Sequence, residues 1–334
     1  MNAQPQRQRP AFDYLDGGPP PDNTVTELMQ GLSARHKRVS PKYFYDAHGS
    51  ALFEKITEQP EYYPTRTERS ILKRHCTDIA GQVGRQRLLL EPGAGSCEKV
   101  RLLLEALQPA AYVPMDISGD FLCQSAQRLK EEYPWLPVTA LRTDFTHMPA
   151  LPETLPDAPR CLFYPGSTLG NFTPAEARRF LMHAARLTAP DGQLLLGIDL
   201  HKDPEILHAA YNDAAGVTAA FNLNLLNHLN HLLHANFEPG AFRHVAGYHQ
   251  GRRRIEMYLE SRHAQQVRCG DTAVRFRRGE RILTEYSCKY TRQSFGRLAR
   301  QAGLRITGYW QDDAGLFAVF ALQAGPQRHG NPAH

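Results

Sequence analysis

Acidic and glycine residues stand at the ends of short apolar runs in this chain, a pattern that suits cofactor chemistry. Leu88-Leu89-Leu90 leads into Glu91-Pro92-Gly93-Ala94-Gly95. Glycines spaced like Gly93 and Gly95 let a backbone turn sharply and approach a ligand closely. A dinucleotide would want a third glycine three residues on, where its pyrophosphate rests on a helix N-terminus. That position holds Glu98, whose carboxylate would repel phosphate. An adenosine cofactor without phosphate escapes the objection. Asp116 ends the next apolar run and is placed to accept hydrogen bonds from ribose hydroxyls. Asp144-Phe145 follows the run after that, an acceptor for the adenine amino group beside a ring for its face. In this order the residues favour S-adenosylmethionine over a nicotinamide dinucleotide, with a plain tight turn the lesser reading of the glycines.

Two further constellations carry polar chemistry. Glu285 and Ser287 lie two apart on an expected strand and so share one face. A neutral imidazole offers one N–H and one bare nitrogen, which a carboxylate and a hydroxyl can answer respectively. Spacing alone favours the wet face of an edge strand. His228, His231 and His234 recur at every third position. On a helix they fall largely outside the stripe of Leu225, Leu229, Leu232 and Leu233, and no carboxylate or cysteine follows at ligand spacing. They read as a polar or inter-domain face, and no metal is expected.

The elements that must position these residues form two patterns. From residue 66 to Asp199 strands and helices alternate. Strands are expected at 87–91, 112–117, 138–142, 160–164 and 193–199, and helices at 67–76, 98–107, 119–131 and from Thr173 onward. This succession implies a parallel sheet with helices on both faces. After Asp199 comes a helical stretch at 203–236, then period-two alternation over 241–290, a helix at 291–302 and strands at 304–310 and 315–323. The last two strands suit an antiparallel return to the first sheet. The expected division is a flexible 1–22, a second-domain segment 23–65, a first domain 66–200, an inserted second domain 201–288, a return at 289–324 and a flexible tail 325–334.

Composition excludes several classes. The excess of 39 basic over 34 acidic residues is spread thinly, and the runs Arg252-Arg253-Arg254 and Arg275, Arg277, Arg278 read as solvated strand faces rather than a nucleic-acid footprint. Six scattered cysteines without a C-x-x-C pair argue against a zinc ribbon or a disulfide framework and suit a reducing, cytoplasmic setting. No apolar run approaches membrane-spanning length, and the Gln-, Pro- and Arg-rich start lacks the apolar core of a secretory signal.

The block from Pro41-Lys42-Tyr43-Phe44-Tyr45-Asp46 to Tyr62-Tyr63-Pro64-Thr65-Arg66-Thr67-Glu68 is long and specific. With Tyr112-Val113-Pro114-Met115-Asp116, Gly166-Ser167-Thr168-Leu169-Gly170-Asn171-Phe172 and Glu285-Tyr286-Ser287-Cys288-Lys289-Tyr290, it resembles the ergothioneine-pathway L-histidine Nα-methyltransferases over residues 25 to 323. The resemblance implies an α/β fold: a Rossmann-like class I methyltransferase sheet with an inserted α+β substrate-binding domain. It implies three methyl transfers from S-adenosylmethionine to the α-amino group of free histidine, giving hercynine. Matched by motif, Asn171 and Tyr211 would hold the substrate carboxylate. Tyr62 would sit beside the imidazole, Tyr45 near the amine, and Phe53 and Met257 along the pocket. Gly166 would offer its carbonyl to the amine, and Glu285 and Ser287 would bind the imidazole nitrogens. Gly93, Lys99 and Asp116 match the family's cofactor positions, whereas the loop departs from its pattern at Pro92, Ala94 and Cys97. Tyr45 could order a water that takes the amine proton, and Tyr45 and Phe53 could face the growing quaternary ammonium. A relative acting on another amino acid such as tryptophan, a nicotinamide oxidoreductase (disfavoured by Glu98) and a silent binding module are the alternatives. The expected partner is a small molecule, with no nucleic acid or membrane, and the expected state a monomer.

Overall fold

The computed structural model describes residues 12–17, 23–144 and 151–324 of the chain. A short strand, β1 (Asp13–Asp16), and a helix, α1 (Thr24–Ser33), open it. A 3₁₀ turn over Pro41–Phe44 leads to α2 (Ala47–Thr57), whose start is capped by Asp46 accepting from the Gly49 N–H at 2.6 Å. Next come α3 (Tyr63–Arg74), with proline in its first turn, and α4 (Cys76–Val83). The succession continues with β2 (Leu88–Pro92), α5 (Glu98–Leu107), β3 (Ala111–Asp116), α6 (Gly119–Glu132), β4 (Thr139–Arg142) and β5 (Arg160–Tyr164). Helix α7 (Pro174–Thr188) starts with a complete capping box between Thr173 and Glu176, and β6 (Gln193–Asp199) is buried along its whole length.

Beyond β6 lie α8 (Pro204–Tyr211) and α9 (Val217–Leu233). The single helical stretch expected over 203–236 is thus broken. Gly216 takes a left-handed conformation, φ 71°, and the Asp213 carboxylate accepts from the Val217 and Thr218 N–H groups at 2.7 and 2.8 Å. Strands β7 (Phe242–His249), β8 (Arg254–Ser261), β9 (Gln265–Cys269), β10 (Thr272–Phe276) and β11 (Arg281–Cys288) follow, then α10 (Arg292–Gln301), β12 (Leu304–Gln311) and β13 (Phe317–Ala324).

The main sheet runs β1-β4-β3-β2-β5-β6-β13-β12. Its pairs are parallel from β1 to β6, and β13 and β12 join antiparallel at the far side. Alternation along the strands sends Leu89, Tyr112, Phe163 and Leu195 to a core shared with α3 to α6. Leu162, Tyr164, Leu194 and Leu196 turn to the opposite face, against α7 and α10. Strand order reverses between β2 and β5, and in such sheets the crevice at the carboxyl ends of the strands takes the ligand. The glycine loop lies there. The fold is α/β.

A separate core gathers residues 28–63 and 207–282 around the sheet β7-β8-β11, with Phe221, Leu225 and Leu229 of α9 packed into it. Both ends of this excursion meet at the main sheet. His201 N–H donates to the Tyr290 carbonyl at 2.8 Å, and Tyr290 N–H to that of Asp199 at 3.2 Å.

Two expectations are corrected. Residues 13–16 of the stretch expected to be flexible pair parallel with β4, because Phe12 is buried and Asp16 meets Arg142 at 3.1 Å. Arg254 is not a solvated cation. It is buried, with its guanidinium 3.6 Å from the Tyr286 ring centroid and its Nε donating to Glu256 at 2.7 Å. Residues 1–11, 18–22 and the tail 325–334 lie outside the described residues.

Candidate active site

The turn after β2 has the backbone a close-approach loop requires. Gly93 and Gly95 take positive φ of 68° and 53°, and so does Cys97 at 57°. A Cβ on Gly95 would meet nothing within 4 Å, so open space lies over the loop. Asp116, ending β3, accepts from the Gly95 N–H at 3.1 Å and from the Ser118 N–H at 2.9 Å. Burial raises its carboxyl above the ordinary range and these N–H groups hold it back. Glu91 is enclosed: Tyr112 donates to it at 2.5 Å, and burial pushes its carboxyl up to about 8 despite that bond. Lys99 points to the loop after β5, its Nζ 2.6 Å from Glu68. Glu68, fully buried on α3, also accepts from the Gly166 N–H at 2.9 Å. Asp144 ends the sheet edge with Lys42, from the second core, at 3.4 Å. Phe145 lies outside the described residues.

Opposite this half stands an aromatic wall. Tyr45 and Phe53 meet edge to face at 5.8 Å between centroids, Phe53 and Tyr62 at 6.4 Å, and Phe221 of α9 backs both Tyr45 and Phe53 at 5.9 and 6.0 Å. The Tyr45 phenol is raised well above its ordinary value, first by burial and then by the charges of Glu285 and Asp116. It thus lies within electrostatic reach of both the second domain's carboxyl and the cofactor side. Tyr62 is raised by burial and then by Tyr211 and Glu285.

Strand β11 closes the site. Glu285 faces Met257 of β8 in register, and a bulge between Leu283 and Glu285 re-aims the strand. Burial pushes the Glu285 carboxyl up to about 7, with Lys289 pulling the other way. Two residues on, the Ser287 oxygen accepts from the Tyr211 hydroxyl and from Lys289 Nζ, both at 2.7 Å. Tyr211, expected beside the substrate carboxylate, is therefore joined to the serine expected at the imidazole. Asn171 closes a 3₁₀ turn (Thr168–Asn171) packed on the end of β11, where a Cβ on Gly170 would stand 3.0 Å from the Cys288 carbonyl. The histidine run faces elsewhere: His228 Nδ1 is 2.7 Å from the Tyr43 carbonyl.

Sequence reasoning did not single out the polar seam behind these groups. Asp199, at the end of β6, meets Lys289 at 2.6 Å and Lys202 at 2.5 Å and accepts from Tyr63 at 2.8 Å. Burial would raise its carboxyl, but both ammonium groups outweigh that and hold it below the ordinary range. Lys202 is pushed down to about 8 by burial. A signal for Lys289 existed, since it continues the alternation Glu285, Ser287, Lys289. Glu68 and Phe221 were also missed; Glu68 lies on the buried face of α3 with Tyr63, Pro64, Ile71 and Leu72, where a glutamate interrupts the apolar stripe instead of marking it.

Comparisons with known proteins show the family. Residues 24–324 match the family model described as histidine-specific methyltransferase, SAM-dependent. The chain is 41% identical over 314 residues to the histidine N-alpha-methyltransferase of Mycolicibacterium smegmatis, covering 92% of this chain and 97% of that protein. It is 40% identical to the protein of the same name from Mycobacterium tuberculosis, covering 88% and 92%. It is 31% identical to ergothioneine biosynthesis protein 1 of Neurospora crassa, over 80% of this chain and 31% of that longer protein. The chain belongs to the family of histidine-specific, S-adenosylmethionine-dependent methyltransferases.

Proposed function

We propose that this enzyme trimethylates the α-amino group of free L-histidine to give hercynine, the first step of ergothioneine biosynthesis. The observation that carries this reading is the polar pair on β11. Glu285 and Ser287 stand two residues apart on β11, with Glu285 in register with Met257 and within electrostatic reach of Tyr45, Tyr62 and Tyr211, and the carboxyl of Glu285 is costly to bury without a ring N–H to answer it. Indole has no bare nitrogen for Ser287, so histidine fits this pair and tryptophan does not. We take the enzyme to be a cytosolic monomer acting on a small molecule alone, with no nucleic-acid or membrane partner.

The cofactor half fits S-adenosylmethionine. The open space over Gly95, the Asp116 carboxylate beside it and a carboxylate in place of a phosphate-binding helix start suit a phosphate-free adenosine compound. Lys99 and Gly93 belong to the same half, with Asp144 and Phe145 assigned to the adenine. When bound, the cofactor supplies an electrophilic methyl carbon on a sulfonium.

The chain's own task is to present a neutral amine in line with that carbon. Glu285 and Ser287 fix the imidazole and Asn171 the carboxylate end; the Tyr211 hydroxyl, expected at that end too, gives its hydrogen to Ser287 instead. Gly166 is held by Glu68, which takes its N–H and leaves its carbonyl for the amine. The Tyr45 phenol is too strongly held in its protonated form to act as the base itself. Its oxygen instead orders a water that takes the amine proton, while the rings of Tyr45 and Phe53 face the growing quaternary charge.

The test is incubation with S-adenosylmethionine and a panel of free amino acids, read by mass spectrometry. Histidine is expected to give mono-, di- and trimethylated products and tryptophan none. Absence of all three histidine products defeats the reading, and light scattering on the eluting protein tests the monomer.

A further inference from the structure

We propose that Lys289 is a positioning residue for substrate recognition. It fixes the direction in which the Ser287–Tyr211 hydroxyl pair offers its hydrogen, and so makes this subsite a reader of a bare ring nitrogen. The proposal rests on the histidine reading above and names a residue that acts behind it.

The argument is a count of donors and acceptors. A lysine ammonium carries three hydrogens and accepts nothing. Lys289 Nζ is fully enclosed and has three oxygens around it: Asp199 at 2.6 Å, Ser287 at 2.7 Å and the Tyr211 hydroxyl at 3.3 Å. Its position is set from behind, because Asp199 is itself fixed by Lys202, by Tyr63 and by its backbone N–H donating to Ser167 at 2.9 Å. Each hydroxyl oxygen therefore spends acceptor capacity on Lys289. The two hydroxyls then share one hydrogen between them across 2.7 Å. One hydrogen of the pair remains, and Lys289 cannot take it. It must point away from the ammonium, into the pocket that Glu285 faces.

The consequence is a fixed polarity. With its lone pairs turned to Tyr211 and Lys289, Ser287 has no acceptor to offer a ring N–H, whereas its hydrogen suits a bare nitrogen. Glu285 offers the opposite, an acceptor. A neutral imidazole satisfies both. An imidazolium, with two N–H groups, and a pyrrole or indole, with no bare nitrogen, each leave a clash or an orphaned polar group at Ser287. Without Lys289 the serine hydroxyl is free to turn toward Asp199 and the preference dissolves.

The experiment compares wild type, Lys289→Met, Ser287→Ala and the double variant. KM and kcat are measured for histidine, Ki for the tighter-binding of the two pyrrolylalanine isomers, and Kd for S-adenosylmethionine. Lys289→Met is expected to raise KM for histidine about tenfold or more, with kcat changed less than about threefold. The pyrrolylalanine Ki and the cofactor Kd should stay within about twofold, and Lys289→Met should add less than about twofold on top of Ser287→Ala. Equal losses for both ligands, or the full factor on top of Ser287→Ala, overturn the proposal. A second measurement needs no variant: ¹⁵N spectra of ring-labelled histidine bound to the wild-type enzyme at pH 7 should show one protonated and one bare nitrogen. Two protonated nitrogens overturn it. Wild type that neither binds nor methylates histidine defeats the functional reading instead, so the two failures are distinguishable.

Discussion

Glu285 combines a structural cost with a functional gain. Burial lifts its carboxyl to about 7 against an ordinary 4.5, and Lys289 recovers only part of that. A group raised in the folded state stabilises the fold fully below its unfolded pKa and loses that contribution as pH rises through its folded pKa. For Glu285 the window runs from about 4.5 to about 7. Glu285→Gln removes the ionisable group, so the ligand-free variant should be more stable than wild type at pH 8, by about 1–2 kcal/mol or a few degrees in Tm, with little difference at pH 5. The same variant should lose about 10- to 100-fold in kcat/KM for histidine, because a carboxylate accepts from a ring N–H more strongly than an amide does. Melting curves at the two pH values beside steady-state kinetics check both halves, and a variant destabilised at pH 8 contradicts the assigned environment. Period-two alternation puts Glu285 and Ser287 on one face but by itself favours a solvated strand face; the family resemblance assigns them to the substrate. That Lys289 and Arg254 are buried was not legible, since their partners, Asp199 and Glu256 with Tyr286, are supplied by tertiary packing that alternation does not encode.

At the scale of elements, three segments hold the loop after β5 against the cofactor half. Glu68 of α3 takes the Gly166 N–H and the Lys99 ammonium, and it lies so close to β6 that a Cβ on Gly197 would come within 1.8 Å of its carboxylate. Gly197 is therefore where the helix and the strand approach. Gly197→Ala should push Glu68 aside, cost about 1–3 kcal/mol by overpacking and raise the Kd for S-adenosylmethionine about tenfold. Circular dichroism should show the fold intact, and calorimetry should show the weakened binding; unchanged cofactor affinity would free Glu68 of this role. The strands at 160–164 and 193–199 and the helix at 98–107 were readable to the residue, because their apolar runs and stripes are uninterrupted. Helix α4 was not: its eight residues turn only Ile79, Ala80 and Val83 inward, too few for a periodic signal. Strand β1 is four residues long and exists through its pairing with β4.

At the scale of the whole molecule, the second core is an excursion whose ends nearly touch. Leu200 bridges Tyr290, and His201 and Asp199 bond to Tyr290 through the backbone. The change of pattern after Asp199 made the excursion legible in the sequence. The way the two cores meet was not, because the seam is polar: Tyr63 from the first segment and Lys202 and Lys289 from the two junctions of the excursion all converge on Asp199 of the main sheet. The division has a consequence for parts of the chain. A variant beginning at Tyr62, with a short Gly-Ser linker replacing 203–288, loses the edge strand β1 with Phe12 but keeps the rest of the apolar clusters of α3 to α7 and α10 on both faces of the sheet and joins ends already adjacent. It loses the cluster that 28–63 and 207–282 build together. Such a chain should unfold in one cooperative transition and bind S-adenosylmethionine within about tenfold of the full protein, since the glycine loop and Asp116 are intact. It should neither bind nor methylate histidine, because Tyr45, Phe53, Glu285 and Ser287 are gone. The complementary fragment 201–288 alone should not fold, because Phe221, Leu225 and Leu229 of α9 would lack the residues 28–63 that complete their core. Denaturant melts and titration calorimetry on the two fragments decide the matter: a stable 201–288 would mean that residues 28–63 are not needed for its core, and a shortened sheet that fails to fold would mean that the two cores are one cooperative unit.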